Sequence, residues 1–77
     1  MKVHIYNLQK TLYEGEAHSV TLPGVDGEVS VLDHHAPLLT ILKKGTVICR
    51  EKHEEKSFST EGGSAYTNGK KLIVLAD

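Results

Sequence analysis

The chain has 77 residues, the size of one small domain, and 39% of them are hydrophobic and 25% charged. Its formal net charge of −1 argues against nucleic acid as a partner, because phosphate binding needs grouped Lys and Arg. The single cysteine excludes an internal disulfide, no window approaches the roughly 18 apolar residues of a membrane span, and MKVHIYNLQK lacks the apolar core of a signal peptide.

The first half of the chain predicts short β-strands separated by turns. KVHIYNL predicts a strand with apolar residues on both faces, and TLYEGEAHSVTL a short strand at Thr11–Tyr13 and a longer one at Ala17–Leu22. Pro23-Gly24 and Asp26-Gly27 predict two turns. GEVSVL then alternates as a strand does, and Pro37 makes the following LDHHAP a loop rather than a helix.

The second half continues this pattern. LLTIL predicts a short buried strand, and Lys43-Lys44-Gly45 a turn after it. TVICREK and KSFST predict a hairpin whose charged connection contains His53-Glu54-Glu55. Gly62-Gly63 predicts a bulge or a tight bend.

Asn68-Gly69 gives the strongest hairpin signal, because a type I′ turn needs positive φ at both central residues. The four consecutive apolar residues of the closing KLIVLAD predict a strand buried on both faces. No segment has convincing helical periodicity. Roughly nine short strands are expected, and two antiparallel sheets packed face to face would bury their apolar residues.

The adjacent pair His34-His35 is the most conspicuous candidate for chemistry. A zinc site needs three or four ligands, whereas the other histidines are scattered along the chain. A catalytic site needs a nucleophile, a base and an orienting group around a cleft, and no pattern supplies them. The residues therefore favour a surface loop at His34-His35 and an inert, buried thiol at Cys49.

The stretch LYEGEAHSVTLPGVDGEVSVLDHHAPLLTILKKG, residues 12–45, resembles the N-terminal β-sandwich of the epsilon subunit of F-type ATP synthase. GE followed after a few residues by HAPLL carries most of the specificity, and the closing LIVLAD matches the end of the same domain. The resemblance covers nearly the whole chain, so residues 1–77 are expected to form a single domain. It implies an all-β fold, a two-layer flattened antiparallel β-sandwich of about ten short strands.

The resemblance also implies a function. It implies a non-catalytic central-stalk subunit of a rotary ATP synthase, which couples the gamma subunit to the membrane c-ring. The agreement of strand pattern and turn residues along the chain predicts a folded monomer in isolation, and the residues indicate no catalytic, metal or cofactor site. By position, Glu28 and His35 are expected on the c-ring side, and Asn7 and Thr40 on the gamma side. The chain would lie at the cytoplasmic face of the cell membrane, associated with it only through the complex.

Several features depart from the family pattern. Ser30, Asp33 and His34 stand where the family commonly has Gly, Pro and Gly. Most members continue into two C-terminal helices that can inhibit ATP hydrolysis, so a chain that ends at Asp77 is expected to lack that role. We further expect Glu28 and His35 to be exposed at the same end of the sandwich. A free-standing interaction module and a small metal- or ligand-binding sandwich remain as alternatives.

Overall fold

The computed structural model describes all 77 residues and contains seven β-strands and no helix. The strands are β1 (Lys2–Tyr6), β2 (Thr11–Glu16), β3 (Ser19–Gly24), β4 (Gly27–Leu32), β5 (Leu38–Arg50), β6 (Glu55–Thr67) and β7 (Lys71–Ala76). Hydrogen bonds join them in the order β2-β1-β7-β6-β5-β3-β4. The domain thus consists of one continuous sheet with β2 and β4 at its two edges.

The two long strands β5 and β6 fold this sheet into two layers. Residues 38–43 of β5 pair with residues 62–67 of β6, and this part of the ribbon is flanked by β7, β1 and β2. Beyond the bend, residues 45–50 pair with residues 55–60, and the flanking strands are β3 and β4. We call the layer that contains β7, β1 and β2 the first layer, and the layer that contains β3 and β4 the second.

This geometry confirms the predicted all-β sandwich and corrects its details. Lys43-Lys44-Gly45, predicted to form a turn, lies inside β5 at the bend, so one strand stands where two were expected. Counting the halves of β5 and β6 separately raises the strand number from seven to nine. The pairing is antiparallel except between β1 and β7, which run parallel.

The two layers enclose one hydrophobic core, to which every strand contributes. Its members are Met1, Val3, Ile5, Tyr13, Ala17, Val20, Leu22, Val31, Leu42, Val47, Cys49, Ala65, Leu72 and Val74. Residues of β1 alternate between this core and the outside, as strands in a sandwich do.

Two predicted turns differ from the structure. Pro23 and Gly24 belong to β3, and a single turn at residues 25–26 leads into β4. The β6–β7 hairpin is present, but φ is positive only at Gly69 and not at Asn68, so the predicted type I′ turn is wrong. Instead, the Asn68 side-chain oxygen accepts hydrogen bonds from the backbone N–H groups of Lys70 and Lys71 and closes a three-residue loop.

Candidate surface for partner binding

The outer side of the first layer carries a continuous group of large apolar side chains. Four of them are substantially exposed: Leu39 (68%), Ile41 (55%), Leu75 (53%) and Tyr66 (44%). The half-buried Ile73 and Tyr6 adjoin them in the strand register, and we call these six residues the apolar face. They align across the strands in two rows, Leu39–Tyr66–Ile73 and Ile41–Ser64–Leu75–Tyr6.

Charged residues border this face. The register places Lys2 beside Lys71 and Glu16, at the end where β1 begins. His4 continues the first row, stacks on Tyr6 at 6.0 Å between ring centroids, and lies 3.8 Å from a carboxylate oxygen of Glu14. An apolar centre with a charged border is the usual anatomy of a protein–protein interface.

The outer side of the second layer is different. Its outward positions are mainly hydroxyl side chains, and we call them the hydroxyl face: Ser19, Thr21, Ser30, Thr46, Ser57 and Ser59. The Arg50 guanidinium covers Thr21, donating a hydrogen bond of 2.7 Å to its hydroxyl, and lies 3.2 Å from the Glu55 carboxylate. Thr21, Arg50 and Glu55 on this side are therefore partnered within the chain.

The histidine pair lies in the loop of residues 33–37 that joins β4 to β5. His34 has a φ of 63°, a left-handed conformation that favours glycine. Its backbone N–H donates to the Gly69 carbonyl oxygen at 2.9 Å, and that of His35 donates to Leu32 at 3.1 Å. The loop thus packs on the β6–β7 hairpin loop, where a Cβ at Gly69 would lie 2.8 Å from the His35 oxygen.

The prediction that Glu28 and His35 lie exposed at the same end of the sandwich is wrong. Glu28 is exposed at the start of β4, opposite Pro23, whereas His35 follows the other end of that strand. His35 is also only half-exposed, because its loop is held against the neighbouring hairpin and its Nδ1 hydrogen-bonds the Ala36 carbonyl oxygen at 2.7 Å. A partner surface that includes both residues must follow the length of β4.

Asn7 and Thr40 lie next to the apolar face. The Asn7 side-chain oxygen accepts hydrogen bonds of 2.8 Å from the backbone N–H groups of Gln9 and Lys10, so this residue shapes the β1–β2 turn. Thr40 is half-buried in β5 between Leu39 and Ile41, with its own side chain on the inner side of the strand. The two positions are thus neighbours of exposed apolar residues rather than the exposed residues themselves.

Sequence reasoning missed the apolar face because it assigned both apolar runs to the core. In LLTIL and KLIVLA every second residue points inward, but Leu39, Ile41 and Leu75 point outward and are exposed. The signal was present in the sequence, since a strand with one solvated face normally carries polar residues at these positions.

An aromatic cluster joins the edge strand β2 to the β5–β6 hairpin of the other layer. The Tyr13 hydroxyl donates to the Glu51 carboxylate, its ring lies 5.7 Å from that of Phe58, and the Lys56 ammonium is 5.6 Å from its centroid. Burial and this hydrogen bond raise the pKa of Tyr13, and the same hydrogen bond lowers the pKa of Glu51. Nearby, burial raises the pKa of Cys49 to about 11, which makes this thiol a poor nucleophile.

No three His, Cys, Asp or Glu side chains converge as a metal site would require. The structure has no helix with the length and apolar character of a membrane span.

Comparison with known proteins connects this architecture to a family. The family model for the β-sandwich domain of the ATP synthase delta/epsilon chain matches residues 1–77. An ATP synthase epsilon chain of Chlorobium limicola is 40% identical over 77 residues, which is 99% of this chain and 88% of that protein. One from Dehalococcoides mccartyi is 34% identical over the whole chain, which spans only 55% of its length.

Solved structures share the fold at low sequence identity. A chain in the cryo-EM structure of the Euglena gracilis mitochondrial ATP synthase superposes with a TM-score of 0.87 at 15% identity, over 96% of this chain and 48% of that one. A chain in the central stalk and c-ring structure of the Tetrahymena thermophila enzyme gives a TM-score of 0.80 at 14% identity, over 97% of this chain and 61% of that one. Because the family model matches its full length, this chain belongs to the ATP synthase delta/epsilon β-sandwich family.

Proposed function

We propose that this chain is the β-sandwich part of a non-catalytic epsilon-type subunit, which binds the gamma subunit and the c-ring in the rotor of a membrane-associated ATP synthase. The apolar face is the observation that carries this proposal. Four large exposed apolar side chains on one side of a small domain mark a surface that a partner covers, because their removal from water is favourable. Family membership supplies the candidates for that partner.

We assign the apolar face to the gamma subunit. The two positions that the family resemblance assigns to gamma adjoin this face, since Asn7 follows Tyr6 and Thr40 lies between Leu39 and Ile41. Both outer faces belong to the same rigid sandwich, so a partner held on one face can be coupled mechanically to another held at an edge. The edge strand β4, which contains Glu28 and is followed by the loop of His35, is the surface left for the c-ring.

A binding measurement with the gamma subunit tests the assignment. Leu39→Glu places a charge at the most exposed residue of the apolar face, and we expect it to weaken gamma binding about tenfold or more, the effect of disrupting an interface anchor. Leu32→Glu is the matched control, because Leu32 is similarly exposed (56%) but lies at the end of β4. Equal binding by both folded variants would reject the apolar face as the gamma site.

The c-ring assignment has its own test. Glu28→Ala and His35→Ala, made separately and together, should weaken binding to the c-ring while the melting temperature stays nearly constant, since neither side chain belongs to the core. A lower melting temperature with unchanged binding would make these residues structural. Failure of the wild-type chain to bind either gamma or the c-ring would instead favour a free-standing interaction module.

The membrane location follows from the same proposal. If the chain binds a c-ring, it lies at the membrane surface through that partner, and we place it on the cytoplasmic face. Fractionation of cells that produce the complete complex tests this: the chain should follow the membranes and be released when the F1 part is stripped from them. A chain that stays in the soluble fraction while gamma follows the membranes would overturn the placement.

A further inference from the structure

The α-amino group of Met1 lies among three oxygen atoms from two segments of the chain. Its nitrogen is 2.6 Å from Oδ1 of Asp33 and 3.4 Å from Oε2 of Glu16, and it donates a hydrogen bond of 3.2 Å to the Ala17 carbonyl oxygen. The Met1 side chain belongs to the core, and the Ala17 N–H donates to the Met1 carbonyl oxygen at 3.0 Å. The first residue is therefore fixed in place, whereas chain termini usually fray.

The shortest of these contacts reaches the loop of residues 33–37. Asp33 immediately precedes His34, whose left-handed backbone conformation is unfavourable for a residue with a side chain and persists only where its surroundings hold it. Three contacts anchor this point of the loop: the Asp33–ammonium ion pair, the hydrogen bond from the His34 N–H to Gly69 and the hydrogen bond from the His35 N–H to Leu32. The ammonium is thus one of three supports of a strained position.

The charges around the amine are consistent with this role. Asp33 and Glu16 are the acidic groups in contact with it, and His18 and Lys52 line the same shallow cavity of about 230 Å³. The hydrogen bond to Asp33 raises the pKa of the amine, and the same bond lowers the pKa of the Asp33 carboxyl. Each group therefore stabilises the charged form of the other.

We infer that the free α-amino group of Met1 is a modification-sensitive contact: it holds the 33–37 loop in place, and acylation of this amine loosens the loop. The inference applies to a chain whose first residue is Met1. A formyl or acetyl group converts the ammonium into a neutral amide with a single N–H, so Asp33 loses its ion pair and Glu16 and Ala17 compete for one donor. Its consequence for binding rests on the proposed function, because His35 of this loop is assigned to the c-ring.

Chemical synthesis of the 77-residue chain with a free or an acetylated amine provides the test. The readout is amide hydrogen exchange at His34, whose N–H donates to Gly69, and at His35, whose N–H donates to Leu32. We expect acetylation to raise both exchange rates about two- to fivefold, the range that partly exposed ion pairs produce. The Val25 amide, which donates to Ile41 at the far end of β4, is the internal control and should keep its rate.

A pair of substitutions in the free-amine chain gives an independent measurement if the acetylated chain fails to fold. Asp33→Asn should raise the exchange rates of His34 and His35 as acetylation does. Asp26→Asn removes the same charge from the turn at residues 25–26, where the aspartate has no ion pair, and should leave both rates unchanged. Unchanged exchange on acetylation, or equal exchange in the two variants, would overturn the inference.

The exchange measurement involves no partner, so it separates this inference from the proposed function. Faster exchange together with weaker c-ring binding supports both. Faster exchange with unchanged c-ring binding supports the role of the amine and rejects the c-ring assignment of His35. Unchanged exchange rejects the role of the amine, whatever the binding measurement gives.

Discussion

The two outer faces of this sandwich are built alike from β-strands and differ in chemistry. Both are formed by outward residues of neighbouring strands, and β5 and β6 contribute to both layers. In β5 the outward residues are Leu39 and Ile41 before the bend, and Thr46, the half-buried Ile48 and Arg50 after it. Folding needs only the inward residues to be apolar, so the difference between the faces has no explanation in the fold.

This difference separates what the sequence encodes for folding from what it encodes for binding. On the hydroxyl face, Arg50 donates a hydrogen bond to Thr21 and forms an ion pair with Glu55, so these polar groups are satisfied within the chain. On the apolar face, Leu39 is 68% exposed, so most of its side chain contacts water when no partner is bound. Exposed apolar area of this kind lowers the solubility of an isolated chain, and it is retained where it binds a partner.

The largest effect is expected at the bend that joins the layers. A Cβ at Gly63 would overlap the Leu75 carbonyl oxygen, and φ there is +129°, whereas Gly27 has a nearly equal φ of +130° with nothing within 4 Å. Gly63→Ala should therefore lower the free energy of unfolding by about 3 kcal/mol or more, and Gly27→Ala by about 1 kcal/mol from backbone strain alone. Urea unfolding of both variants measures this, and equal losses would show that the β6–β7 contact is not tight.

A smaller effect is expected where β2 is fastened to the opposite layer. Tyr13→Phe removes the donor to Glu51 and should lower the melting temperature by a few degrees. Tyr66→Phe is the control on the apolar face, because the Tyr66 hydroxyl has no hydrogen bond within the chain, and it should leave the melting temperature unchanged. If Tyr66→Phe lowered the melting temperature more than Tyr13→Phe does, the apolar face would contribute more to stability than the aromatic cluster.

The stability difference between wild type and Tyr13→Phe should depend on pH. The Tyr13 hydroxyl lowers the pKa of Glu51 below its ordinary 4.5, so the stabilisation by this hydrogen bond is present above pH 4.5 and is lost as the pH falls through the lowered pKa. The stability difference between wild type and Tyr13→Phe should therefore shrink on acidification. Thermal melting between neutral and strongly acid pH measures it, and a difference that stays constant would contradict the assigned hydrogen bond.

The smallest effect is expected on the hydroxyl face. Ser57→Ala removes an exposed hydroxyl beside Ile48 and should change the free energy of unfolding by less than about 0.5 kcal/mol. It should also leave gamma binding unchanged, in contrast to any charged substitution on the apolar face. Weaker gamma binding by this variant would place the gamma subunit on the hydroxyl face and contradict its assignment to the apolar face.

Much of the fold was predictable because its signals are local. Alternation identified β4, the charged connection at His53 identified the β5–β6 hairpin, and glycines marked the bends. The parallel pairing of β1 with β7 was not predictable, because it joins the two ends of the chain and leaves no local pattern. The unbroken path of β5 through Lys43-Lys44-Gly45 was missed because a strand bend and a turn use the same residue types.

The site was predictable only in part. The family resemblance selected Asn7 and Thr40, which adjoin the apolar face, but the exposed residues themselves were assigned to the core because a short apolar run does not reveal which side is covered. The left-handed conformation of His34 and the ion pair between Met1 and the adjacent Asp33 were not predictable. They depend on contacts between residues more than thirty positions apart, which a single sequence does not show.

Oxidative side-chain labelling of the chain, alone and bound to the gamma subunit, tests the central claim most directly. The account predicts that gamma lowers the labelling rates of Leu39, Ile41 and Tyr66 while Leu32 and Ile48, outside the apolar face, keep theirs. Protection of Leu32 and Ile48 with unchanged labelling of the apolar face would contradict it, because the gamma subunit would then cover the other side of the sandwich.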